Sequence, residues 1–129
     1  HRNSDEGILN RLRSVPAMPK SDARAVLAHR LRAVRTAMEI SQAELGVRMG
    51  LPEDVASTRI NRYEKGVHAP DIETAERMAK ELGVPLAYLL TQDERLASAI
   101  LMFSELTDAE QDRVLAELRV RSRRKKDRK

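Results

Sequence analysis

The stretch SQAELGVRMGLPEDVASTRINRYEKG, Ser41 to Gly66, decides the fold. Ser41 and Glu44 form an S-x-x-E pair, in which the hydroxyl accepts from the amide three residues on and the carboxylate reaches back to the cap amide. A helix therefore starts here. Leu45 and Met49 at i, i+4 give it an apolar edge, and Gly50 can adopt the left-handed conformation that ends it. Gly46 costs this helix about 1 kcal/mol relative to alanine. Close approach of a neighbouring helix explains it, because a missing Cβ lets two backbones meet. Ile60 and Tyr63 then supply the buried edge of a second helix that stops at Gly66. Its start has two readings: Ser57 caps a short helix of about 57–65, or Pro52 opens a longer one. The short form is preferred, with 51–55 as an enlarged turn, because Val55 and Ile60 are five apart and share no helical face.

Upstream, Leu27, Leu31, Val34 and Met38 fall on one stripe and predict a first helix over roughly 22–38. Arg24, Arg30, Arg32 and Arg35 occupy its other faces and are expected in solvent. Residues 1–20, with Gly7, Pro16 and Pro19, are expected to be a flexible arm in which ILNRLRSV forms at most a transient turn. Downstream, Ile72, Ala75, Met78, Ala79 and Leu82 repeat at helical spacing until Gly83, and LAYLL makes a short fifth helix. Leu96, Ile100 and Phe103 share a stripe within 93–103. Thr107 and Glu110 form a second capping box before Val114, Leu115 and Leu118. The run RVRSRRKKDRK, 119–129, has few apolar groups and is expected to be a disordered basic tail. No segment alternates with the period of a strand, so the fold class is all-α.

The 129 residues contain no cysteine, which excludes a disulfide framework and a thiolate metal site. No apolar run approaches the roughly 20 residues of a membrane span, and a cytoplasmic location is expected. Residues 1–65 hold 12 Lys/Arg against 8 Asp/Glu, residues 66–118 hold 4 against 11, and residues 119–129 hold 8 against 1. A basic first half suits a polyanion, and an acidic middle suits a face turned away from it.

The series SQAEL, INRYEKG, AP, AERMAKELGVP and YLL, in register, resembles the helix-turn-helix domain of the Cro/phage-repressor (Xre) family. The resemblance spans about residues 24–92. It implies a five-helix lambda-repressor-like domain over 21–92; the apolar stripes and capping box beyond it predict one or two further C-terminal helices over 93–118. The segment between Gly50 and Tyr63 is about four residues longer than in most members, as in a subset of the family, and Gly46 stands where alanine is usual. The resemblance implies that the second helix crosses the DNA backbone while the third enters the major groove. Carried over position by position, it assigns base reading to Ser57, Thr58, Arg59 and Arg62, and phosphate contact to Gln42, Asn61, Lys65 and His68. Arg59 suits guanine, since a guanidinium donates to O6 and N7 together.

The expected function is sequence-specific binding of double-stranded DNA by a repressor-like homodimer on a palindromic operator, with 93–118 as the dimerising segment. The alternative is an antitoxin-type DNA-binding protein whose C-terminal helices hold a toxin, and an antirepressor is another possible protein partner. Catalysis is not expected: His1, His29 and His68 are dispersed, and no glycine-rich phosphate loop or G-x-S-x-G elbow occurs. Neither a cofactor nor a metal is implied.

Overall fold

The computed structural model describes Ile8, Arg11, Leu12 and residues 22–127, with side chains through Lys125. Among these residues the secondary structure is helical throughout. The order is α1 (Ala23–Ala37), α2 (Gln42–Arg48), α3 (Glu53–Glu64), α4 (Ile72–Leu82), α5 (Leu86–Leu90), α6 (Glu94–Ser104) and α7 (Asp108–Asp127). Local chemistry sets most of the starts. Asp22, Ser41, Asp71 and Asp93 each accept from an amide three residues on, which satisfies one of the orphan donors of a first turn. Hydrogen bonds from Thr74 hold the Asp71 carboxyl below its usual range. At α7 the box is reciprocal: Thr107 N donates to Glu110 Oε1 at 2.9 Å and Glu110 N to Thr107 Oγ1 at 3.2 Å. At α2 it is half made, because Glu44 pairs with Arg48.

One core unites these helices. Leu31 and Val34 of α1, Leu45 of α2, Ile60 of α3, Met78 of α4 and Leu89 of α5 are wholly buried. Each such side chain contributes about 1.5–3 kcal/mol by leaving water. Leu12, within the segment expected to be a free arm, is buried in the same core, Ile8 packs against it, and the Arg11 guanidinium donates to Ala37 O. Ile8 and Leu12 of ILNRLRSV thus contribute to the core, and apart from Arg11 the rest of 1–20 lies outside the described residues.

Two further expectations are corrected here. Arg30 and Arg35 are not solvated. Arg30 is 2% exposed; it donates to Thr91 O at 2.8 Å and to Gln92 O at 3.2 Å, and lies 5.0 Å from the centroid of the Tyr88 ring. Burial raises the Tyr88 pKa and the Arg30 charge works against that rise. This guanidinium ties α1 to the α5–α6 junction. Arg30→Leu should remove the donor that joins Thr91 O and Gln92 O to α1 and lower stability by about 2 kcal/mol; a urea midpoint unchanged from wild type would show that the junction holds without it.

The second correction concerns 119–129. α7 continues without a break through Asp127, while Arg128 and Lys129 lie outside the described residues. Arginine, lysine, alanine and leucine are strong helix formers, Glu117 pairs with Arg121 one turn on, and cations near a helix C-terminus complement its dipole. A lack of apolar groups removes packing, but it does not remove these local terms.

Candidate nucleic-acid interface

α2 and α3 are packed on one another more extensively than any other pair of helices, and Gly46 explains how. A Cβ built there would stand 2.6 Å from Ala56 Cβ and 2.9 Å from Ala56 Cα. The close approach expected of Gly46 is present, and its partner is α3.

α3 is longer than the preferred reading. Pro52 stands at its start with no side-chain cap, and Glu53 to Ala56 form an added helical turn where an enlarged loop was expected. Val55 gave the wrong criterion, since it is exposed. The buried stripe is Ala56, Ile60 and Tyr63, at i, i+4 and i+7, and Ala56 is the residue that extends the face backwards. Small size concealed it: alanine fits beneath Gly46, where a larger apolar residue would not.

The stripe opposite runs Asp54, Thr58, Asn61 and Lys65, also at i, i+4, i+7 and i+11. Ser57, Thr58, Arg59 and Arg62 are all exposed, so none is tucked against the body. They do not form one line. At about 100° per residue, Thr58 sits on the outward crest, Ser57 and Arg59 flank it on opposite sides, and Arg62 lies beside the crest. Asp54 joins the crest only because α3 begins early, which is why reading the sequence missed it. No ion pair links it to Arg59 among the described residues.

The positions expected at phosphate are arranged unequally. Gln42 is half-buried, and its Nε2 donates to Asn61 Oδ1 at 3.2 Å and Glu64 Oε1 at 3.1 Å. Both donor hydrogens are therefore engaged within the protein. Glu64 also receives two hydrogen bonds from Arg35, and Arg35 Nη1 donates to Ile40 O at 2.9 Å. This network fastens the end of α1, the α1–α2 turn, the start of α2 and the end of α3 into one unit. With its Oδ1 occupied, Asn61 keeps its amide donors for other partners. Lys65 and His68 are exposed, one capping α3 and the other in the turn before α4. Lys65 also borders an open groove, of about 1010 Å³, shared with Arg24 and Arg32 of α1.

Residues 31–89 match the helix-turn-helix family. The chain is 32% identical over 92 residues to the cryptic phage CTXphi transcriptional repressor RstR of Vibrio cholerae, covering 67% of this chain and 79% of that protein. The chain belongs to the helix-turn-helix family. Its fold is similar to the crystal structure of the transcriptional regulator BswR, with a TM-score of 0.68 and 37% identity, across 71% of this chain and 91% of the other. This helix-turn-helix protein is accordingly a DNA-binding transcriptional regulator. Among the described residues no helix is long and apolar enough to cross a membrane, and no cluster of three or more His, Asp or Glu suits a metal ion.

Proposed function

We propose that this helix-turn-helix protein represses transcription by binding double-stranded DNA sequence-specifically as a homodimer on a two-fold-symmetric operator. The supporting observation is the division of α3. Ala56, Ile60 and Tyr63 lock one side to the body, while Ser57, Thr58, Arg59 and Arg62 stand free on the remaining surface of a rigid rod. A helix so mounted can enter a major groove about 12 Å wide with its side chains at base edges. Two such heads on one face of the duplex would read half-sites about 10 base pairs apart. The RstR relative is a transcriptional repressor, which supports the sign of regulation. A repressor of this kind acts where the chromosome is, in the cytoplasm.

Within this reading Thr58 and Arg62, on and beside the crest, face the bases, and Ser57 and Arg59 face the two groove walls. Arg59 thus reaches either a guanine or the adjoining phosphate. Gln42 serves less as a direct phosphate ligand than as the group that orients Asn61, whose amide then donates to the backbone with Lys65 and His68 alongside. In vitro selection from random duplexes tests the assignment. Arg62→Ala should lose preference at one base position, worth about 1–3 kcal/mol, and keep residual nonspecific affinity. Arg59→Ala separates its two roles: loss at one position marks a reader, and uniform weakening marks a backbone contact. Wild-type binding with no sequence preference would reject the proposal.

A further inference from the structure

We propose that α7 is the self-pairing element, with two copies of this chain joined through antiparallel α7 helices, each lying in the groove between α6 and α7 of the other. This rests on the homodimeric reading above, and gives it a surface, a direction and a register.

The bareness of α7 comes first. It is 20 residues long, about 30 Å, and every residue from Asp112 to Lys125 is exposed. Helices in proteins draw most of their stability from packing an apolar face, and this one packs almost nothing within its own chain. Yet Leu115 and Leu118 are 36% and 54% exposed. They face an open groove of about 730 Å³, whose far wall is Ile100, Met102 and Phe103 of α6. Gln111 Nε2 donates to Phe103 O at 2.9 Å, which fixes the start of α7 on the end of α6 and holds the groove's mouth. A second helix is the shape that fills such a trough.

Spacing supplies the register. Positions 108, 111, 115, 118, 122 and 125 advance by alternate steps of three and four, the period that keeps one seam on a helix against a partner. Their occupants are Asp108, Gln111, Leu115, Leu118, Ser122 and Lys125. The step pattern is the same read in either direction. A two-fold axis midway between 116 and 117 therefore sets Leu115 against Leu118 of the second copy, Gln111 against Ser122, and Asp108 against Lys125, each twice, as an isologous interface requires.

Charge supplies the direction. Asp108, Glu110 and Asp112 occupy the first turns of α7, and Arg119, Arg121, Arg123, Arg124 and Lys125 the last. Parallel helices would align the two basic ends and the two acidic ends. Antiparallel helices set each basic end beside an acidic one, an attraction that weakens as salt screens it.

The 129 residues contain no cysteine, so introduced thiols report neighbours without background. Under oxidation D108C alone and K125C alone should remain unlinked, and their mixture should give a covalent dimer containing one of each. S122C that links to itself would mean parallel helices and overturn the proposal. By light scattering L118E should be a monomer at concentrations where wild type is a dimer, with its helical circular dichroism otherwise kept. A dimer that survives L118E and forms no mixed disulfide would overturn this surface while leaving dimerisation elsewhere intact, and a monomeric wild type would remove both. No DNA is present in these measurements, so a failure of base reading leaves their result unchanged.

Discussion

Glu64→Ala is expected to destabilise the protein by about 3 kcal/mol, the range for removing one member of a buried ion pair. Glu64 is 4% exposed and Arg35 15%. The truncation leaves the guanidinium charged, nearly dry and short of two acceptors, and it also frees the amide of Gln42. The cost comes from the stranded charge more than from the lost attraction, so an apolar pair, Arg35→Met with Glu64→Leu, should recover most of it. Urea denaturation with an unchanged slope is the measurement. A loss below about 0.5 kcal/mol, typical of surface substitutions, would mean that this network does not secure the helix-turn-helix unit. Operator affinity of Glu64→Ala should fall even where the protein remains folded, because Asn61 loses its orientation.

Gly46→Val is expected to cost a comparable amount, about 3 kcal/mol, and Gly46→Ala about 1 kcal/mol. Carbon atoms rest at about 3.5–4.0 Å, whereas an added Cβ would meet Ala56 at 2.6 Å and the α3 backbone at 2.9 Å. A flexible side chain could turn aside, but a helix backbone has to shift as a body. Overpacking of this kind costs about 1–3 kcal/mol, from which alanine recovers about 1 kcal/mol in helix propensity and β-branched valine less. Ala56→Gly on the Gly46→Ala background should return part of the loss, and strictly additive effects would exclude contact between the two positions.

The caps at Ser41 and Thr107, the stops at Gly50, Gly66 and Gly83 and the close contact at Gly46 were all legible in the sequence, because each depends on chemistry within a few residues or on helical periodicity. Other features were not. The start of α3 was hidden because its burial runs through Ala56, whose weak hydrophobicity says little until Gly46 is seen above it. The fates of Arg30 and Arg35 were hidden because their partners, Thr91, Gln92 and Glu64, are far along the chain. The extent of α7 was hidden because its last turns lack packing yet keep helical propensity and a local ion pair. Of the positions carried over for DNA contact, Ser57, Thr58, Arg59, Arg62, Lys65 and His68 are exposed while Gln42 and Asn61 are half-buried, and three consecutive positions cannot share one face of a helix, which separates Thr58 from its neighbours.

The interleaving of fixed and free positions along α3 has a bearing on how such a regulator diversifies. Ala56, Ile60 and Tyr63 are held by the scaffold, and Ser57, Thr58, Arg59 and Arg62 between them are exposed. A lineage or an engineer can rewrite the second set like the teeth of a key while the bow stays the same. Under the base-reading assignment proposed above, target preference can then drift at almost no cost to folding.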